Sequence, residues 1–113
     1  VQHSLIAMLE KSKQGVIPIE RVVEKMSHAV ADLFRIDKRG YIREGYHADL
    51  VLVDPNQSIT VDKSNILYKC GWSPFEGVTF SHTVTHTWVN GHLVYRDGTF
   101  DESQRGMRLA FNR

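Results

Sequence analysis

Cysteine is nearly absent: Cys70 stands alone among 113 residues. No intrachain disulfide is possible, and a zinc knot built on several cysteines is excluded. The missing disulfide framework fits a reducing compartment, and a cytoplasmic location is the expectation. No charge of one sign dominates either. Fourteen Lys+Arg against thirteen Asp+Glu leave +1, which argues against a dedicated nucleic-acid or anionic-membrane surface. No apolar run approaches the roughly 20 residues that span a bilayer. No basic-then-apolar leader is visible, so no signal peptide is read. The chain opens Val1-Gln2-His3-Ser4 with no Met, which reads as a piece of something longer. What remains is ordinary globular composition, 42% hydrophobic and 24% charged, at the length of one domain with one modest core.

Two halves differ in pattern, with no repeat and no low-complexity tract between them. Residues 4–36 read as helical. Ser4 is placed to cap a first helix whose Leu5, Ile6, Met8 and Leu9 cluster on one side, and Gly15 suits the position just past its end. Pro18 fits the first position of a second helix. Val22, Val23 and Met26, then Val30, Leu33 and Phe34, continue a 3.6-residue stripe that shifts at Ser27-His28, predicting a third short helix or a bend.

From Gly40 onward strands and turns take over. Ala48–Asp54 is a near-continuous apolar strand ended by Pro55-Asn56, and that continuity predicts burial on both faces. Ser58–Val61 is a shorter strand. The strongest local signal is Asn90-Gly91 between β-rich runs, which favours a two-residue turn with φ > 0 at both positions. That turn pairs Val89 with His92, Trp88 with Leu93, Thr87 with Val94 and His86 with Tyr95. Asp97-Gly98 marks a further turn. The tail 101–113 carries only a weak apolar set and is expected to wander.

Candidate chemistry is sparse. The six histidines are His3, His28, His47, His82, His86 and His92. A zinc site needs three or four ligands converging at about 2.0–2.3 Å. His82 and His86 on one strand face stand about 13 Å apart at ~3.3 Å per residue, and neither His-x-His nor His-Glu-x-x-His occurs. Surface or cross-strand histidines fit better, with His86 beside Tyr95. Gly-x-Ser-x-Gly is absent, and Pro74 removes the N–H beside Ser73 that an oxyanion hole would use. Cys70 has a single basic neighbour, Lys69, too little to mark a nucleophile. Asp49 and Asp54 bracket a strand and suit turn and edge hydrogen bonding. Trp72, Phe75 and Trp88 could stack on a ligand, but core packing is the stronger reading. No catalytic, cofactor-binding or metal-binding residue is assigned within the chain.

Three stretches nevertheless carry a resemblance. Gly40-Tyr41-Ile42-Arg43-Glu44-Gly45-Tyr46-His47-Ala48-Asp49-Leu50-Val51-Leu52-Val53-Asp54 resembles the Gly-x-Ile-x-x-Gly-x-x-Ala-Asp-Leu-Val-Leu-x-Asp segment of the metal-dependent amidohydrolase superfamily. Val89–Phe100 is similar to that superfamily's closing hairpin. Lys69-Cys70-Gly71-Trp72-Ser73-Pro74-Phe75-Glu76-Gly77 resembles a segment of the cyclic-amide branch (dihydroorotases, allantoinases and hydantoinases), most of all in dihydroorotases. Upstream, Ser27, Ala31 and Phe34 match a Ser-x-Asn-Pro-Ala-x-x-Phe-Gly pattern, with Ala29, Val30 and Arg35 standing where Asn, Pro and Gly are usual.

The resemblance implies an α+β piece: the last helices of a (β/α)₈ barrel (residues 1–39), the C-terminal strands of a composite β-sandwich (40–100) and a tail (101–113). A complete barrel needs about 250 residues, so the missing N-terminal part of the same enzyme is the implied partner. The parent would be a zinc enzyme acting reversibly on a small cyclic amide, dihydroorotate to carbamoyl aspartate in pyrimidine synthesis. Its metal site would use His-x-His, a carboxylated lysine, two further histidines and an aspartate, none with a counterpart here. This segment would serve as scaffold, bind no zinc, be inactive alone, and share in homo-oligomer contacts, without nucleic acid or membrane. The alternatives are a fragment of an allantoinase or hydantoinase, and a stand-alone β-rich binding or assembly module.

Overall fold

The structure is a computed structural model describing residues 1–113. Its first helix, α1, runs Ser4–Lys13. The N-cap position belongs to His3, not Ser4, and no side chain caps the helix there. The other end follows the expectation for Gly15. That residue sits at φ +77, donates its N–H to Ser12 O, and Val16 donates to Lys11 O. The pair of bonds closes the helix with a left-handed residue that only glycine adopts freely.

α2 (Ile19–Val23) and α3 (Ala29–Phe34) form one helical run joined by a π-helical turn over Glu24–His28. Pro18 stands one position earlier than expected, as the extended N-cap residue of α2. The widened turn is the physical cause of the stripe's shift at Ser27-His28, because an extra residue per turn rotates everything downstream. α3 ends at Arg35, which takes the left-handed conformation at φ 54, ψ 44. This is the position where the resembling pattern carries Gly. Arg35 N–H donates to Asp32 O and Ile36 N–H to Ala31 O, the same closing pattern as in α1.

Gly40 explains how the helical run and the sheet meet. A Cβ added there would lie 2.3 Å from Ala31 Cβ and 3.0 Å from Ser27 O, and φ is +82. Only a bare Cα lets the chain pass this close to the helix.

Four antiparallel strands form the main sheet in the order β1-β4-β5-β6 (β1 Leu50–Asp54, β4 Thr83–Val89, β5 His92–Arg96, β6 Thr99–Phe100). A second, two-stranded sheet pairs β2 (Ile59–Thr60) with β3 (Thr79–Phe80). Asn90-Gly91 and Asp97-Gly98 both make two-residue turns with positive φ at both positions, as the dipeptides predict.

The hairpin register departs from the expected one. Val89 faces His92 and Trp88 faces Leu93, but Thr87 then faces Tyr95 and His86 faces Arg96. Val94 is bulged out, and its carbonyl accepts the N–H of Asp101. A second bulge at Thr85 lies between Leu52↔His86 and Val53↔Val84 on the β1 side. Each bulge moves the downstream side chains to the opposite face.

The core lies between α1 and the small sheet. Ile6, Val61 and Phe80 form its centre, with Ala7, Ile59, Ile66, Phe75 and Val84 packed around them. Only 8 of the 113 residues are buried, so much apolar surface has no cover from within the chain. β1 shows this most plainly. Its run Leu50, Val51, Leu52 is expected to be buried on both faces, yet it is 36–51% exposed at the sheet edge. Val23, Met26, Val30, Leu33 and Phe34 are also open. A groove of roughly 760 Å³ runs between these helices and β1, lined by Leu5, Leu9, Val22, Met26, Leu50 and Val51 among others. The tail does not wander. Phe111 bridges to Ile36, Asp37 N–H donates to Ala110 O, and Asn112 N–H donates to Arg35 O.

Candidate functional site

The most enclosed polar assembly lies at the start of α1. His3 is only 6% exposed. Its ring meets Tyr68 and Phe75 edge-on, with centroids 6.2 and 6.1 Å away. His3 Nδ1 is 3.3 Å from Ser73 Oγ. Ser73 lies in the Lys69–Gly77 segment, where its side chain and backbone build a turn. Its Oγ accepts the Phe75 N–H at 3.1 Å, and its carbonyl accepts the Glu76 N–H at 3.1 Å. Pro74 occupies the one turn position where no N–H is needed.

Ser73 Oγ, which accepts the Phe75 N–H, also shares a hydrogen bond with His3 Nδ1, the donor being set by the imidazole tautomer. Burial pushes the His3 pKa below its ordinary value. A serine beside a histidine invites the reading of a nucleophile and its base. The geometry rejects it: Ser73 is buried, its oxygen is engaged by an amide, and no carboxylate hydrogen-bonds the ring.

Gln2 completes the assembly. Its Nε2 donates to Asn65 O at 2.8 Å, and its Oε1 accepts the Leu67 N–H at 2.9 Å. One amide thus satisfies two backbone groups of the 65–67 loop. That loop is itself braced by a short turn at Lys63–Asn65, capped by Asp62, whose Oδ1 accepts the Ser64 N–H at 2.7 Å. Further along α1, Glu10 accepts the Ser81 N–H at 2.9 Å and the Ser81 hydroxyl at 2.5 Å. Those two bonds hold the Glu10 carboxyl below its usual pKa.

A second polar joint centres on Asp49. Its carboxylate pairs with Arg39 and accepts the Asn90 N–H at 2.9 Å, while Ala48 O accepts the Gly91 N–H at 3.0 Å. The Ala48-Asp49 step therefore receives the hairpin turn at Asn90-Gly91 from across the sequence. Burial by itself raises the Asp49 pKa, but the Asn90 bond and Arg39 outweigh it, and the net shift is downward. Asp54 accepts the Asn56 N–H at 2.8 Å. Both aspartates do the turn and edge work expected of them.

The remaining candidates are dispersed. His28 stacks on Tyr41 at 4.2 Å, and Tyr41 OH donates to Asp32 at 2.7 Å. His82 lies within reach of the Ser81 hydroxyl, and His92 Nε2 lies 3.3 Å from Asp101. His86 stacks on Trp88 (5.6 Å, 12°) and not beside Tyr95, because the bulge carries Tyr95 across to Thr87. Cys70 is exposed, with Sγ 3.8 Å from Trp72 O. Phe75 packs against the core, but Trp72, expected in it, is 60% exposed. No three His, Cys, Asp or Glu side chains converge as metal ligands, so these residues do not fit a zinc centre. The two joints that sequence reasoning missed, His3–Ser73 and Glu10–Ser81, bridge 70 and 71 positions, and no local signal marks them.

This arrangement offers turns, clamps and close approaches. Residues 2–94 match the amidohydrolase family, and the chain belongs to that family. The chain is similar to the dihydroorotase of Pyrococcus horikoshii, 33% identical over 110 residues, spanning 97% of this chain and 26% of that protein. It is also similar to the allantoinase of Desulfitobacterium hafniense, 32% identical over 92 residues, spanning 81% of this chain and 20% of that protein. Among solved structures it superposes on the L-hydantoinase (dihydropyrimidinase) from Arthrobacter aurescens with a TM-score of 0.74 and 31% identity, over 82% of this chain and 21% of that one. The chain spans about a quarter of the length of the dihydroorotases it matches. No helix is long and apolar enough to cross a membrane.

Proposed function

We propose that this chain is the C-terminal portion of a dihydroorotase-like amidohydrolase, a cytoplasmic enzyme that opens and closes the ring of dihydroorotate in pyrimidine synthesis. α1 and the α2–α3 run are its last barrel helices. The strands are the C-terminal half of its small sandwich domain, closed by the tail. The segment is scaffold. It supplies no zinc ligand and no reacting group; in this reading the zinc pair is held by side chains elsewhere in the polypeptide, and these residues alone are inactive.

The open apolar faces support a scaffold role. The groove beside β1 and the uncovered stripe from Val23 to Phe34 need a partner surface, since helices this short draw most of their stability from packing. The rest of the same enzyme is that partner, and a homo-oligomer uses what remains exposed. A stand-alone binding module would have no reason to leave its own strand β1 half bare.

What supports dihydroorotate as the substrate is the form of the Lys69–Gly77 segment, which most resembles dihydroorotases; dihydroorotases and allantoinases both stand among the relatives. The L-hydantoinase superposition favours a second reading, a hydantoinase or dihydropyrimidinase. One experiment separates them. The complete polypeptide carrying these residues is purified with zinc and assayed on dihydroorotate, allantoin, hydantoin and dihydrouracil. Dihydroorotate is expected to give the highest kcat/KM. Preference for another ring transfers the assignment to that branch, and inactivity on all four rejects cyclic-amide hydrolysis.

A further inference from the structure

Four asparagines occur in the chain, Asn56, Asn65, Asn90 and Asn112, and only Asn90 is followed by glycine. In an open chain that pair is the most reactive amide of the sequence. A backbone nitrogen can attack the side-chain carbonyl of the asparagine before it, and glycine, with no Cβ, leaves the approach clear. Water is the only co-reactant. A bond forms between Gly91 N and Asn90 Cγ, the Cγ–Nδ2 bond breaks, and ammonia leaves with the hydrogen that Gly91 N gave up. Water then opens the cyclic imide. Attack at Cγ yields aspartate, and attack at the backbone carbonyl yields isoaspartate.

The folded turn opposes this reaction at each atom involved. Gly91 N–H donates to Ala48 O at 3.0 Å. Taking its proton would leave an anionic nitrogen facing the lone pairs of that carbonyl. The Asp49 carboxylate, which accepts the neighbouring Asn90 N–H at 2.9 Å, sets a negative charge beside the same anion. Asn90 Oδ1, where charge develops during the attack, is buried and no donor of the chain reaches it, so that charge would go unstabilised.

We propose that Asn90-Gly91 is a latent self-modification site, kept in its amide form by the Ala48-Asp49 clamp and converted to aspartate or isoaspartate when the clamp opens. The conversion runs one way. It puts a carboxylate where Asn90 Oδ1 is buried, beside Asp49, which is already paired with Arg39. The clamp therefore does not close again on the product, and each opening that reacts leaves a permanent mark on the hairpin.

The test uses the complete polypeptide carrying these residues, incubated at neutral pH. Peptide mapping by mass spectrometry follows the gain in mass and locates each converted amide. In urea Asn90 is expected to convert first of the four asparagines; if it does not, the site itself is overturned. In buffer the conversion is expected to be about a hundredfold slower, set by the small population of open joint, and equal rates in urea and buffer would overturn the protection. Asp49→Ala, shown to be folded by circular dichroism, is expected to convert about tenfold faster than the wild type in buffer, because one hydrogen bond to a charged group is lost. An unchanged rate there removes Asp49 from the clamp. If Asp49→Ala does not fold, a urea series on the wild type decides: conversion is expected to rise before the chain as a whole unfolds, and a rise only with global unfolding overturns the local clamp. Asn90→Asp, which mimics the product, is expected to melt at a lower Tm than Asn90→Gly, a neutral control equally at ease with positive φ. Equal Tm values overturn the one-way character.

Discussion

Gly40→Ala tests the closest approach in the molecule. The new methyl would sit 2.3 Å from Ala31 Cβ and 3.0 Å from Ser27 O, whereas apolar carbons rest at about 3.5–4.0 Å. The helix or the strand-ward linker must therefore move by more than about 1 Å, and overpacking of this kind costs roughly 1–3 kcal/mol. The φ of +82 adds about 1 kcal/mol for any residue with a Cβ. The sum is about 2–4 kcal/mol. Gly15→Ala is the matched control, since Gly15 has φ +77 and nothing within 4 Å of an added Cβ; it carries only the conformational cost of about 1 kcal/mol. For a chain of this length each kcal/mol moves Tm by roughly 4 °C. Thermal and urea unfolding should thus show Gly40→Ala falling about 8–16 °C and Gly15→Ala only about 4 °C. Ala31→Gly, costing about 1 kcal/mol in helix propensity, should restore part of the Gly40→Ala loss when the two are combined. Equal Tm losses for the two glycine variants, or no coupling with Ala31→Gly, would refute the close-packing argument.

Three further outcomes are expected. Asp49 titrates below its ordinary value in the folded chain, so its contribution is present above the usual carboxylate range, near 4, and is lost as pH falls through the lowered folded value; acid unfolding monitored by circular dichroism should therefore be shallower in Asp49→Asn than in the wild type, and identical slopes would count against the joint. Arg35 holds a left-handed conformation at φ 54, so Arg35→Gly should raise stability by about 0.5–1 kcal/mol in urea titration, and a loss would show that the Arg35 side chain has an unseen stabilising role. The 113 residues prepared alone should associate through β1 and the open helical stripe, giving a light-scattering mass above that of one chain; a monodisperse monomer at high concentration would contradict this.

How much of this was legible in the sequence depends on distance along the chain. Gly15, Asn90-Gly91 and Asp97-Gly98 each announce a local backbone geometry, and each adopts it. The shift of the apolar stripe at Ser27-His28 marked the π-helical turn, though not its kind. The bulges at Thr85 and Val94 were hidden, because strand periodicity carries no signal for where an extra residue enters a ladder. The His3–Ser73 bond was hidden because its partners lie 70 positions apart and neither is locally marked. For β1 the hydropathy reports that a strand favours cover on both faces, and says nothing of what supplies it.

Three residues of the family pattern share one physical property: each joins two separate segments of the chain. Gly40 admits the linker against Ser27 and Ala31. Asp49 receives the Asn90-Gly91 turn and Arg39. Ser73 meets His3. None presents a free nucleophile, base or ligand. A pattern of this kind is restricted by geometry and not by chemistry, since substituting any of these residues disturbs two elements at once. It follows that such a segment can remain recognisable among enzymes that act on different rings, because the same joints serve whichever substrate the reacting residues select. The likeness to dihydroorotase, allantoinase and hydantoinase at nearly equal identity is what that argument requires.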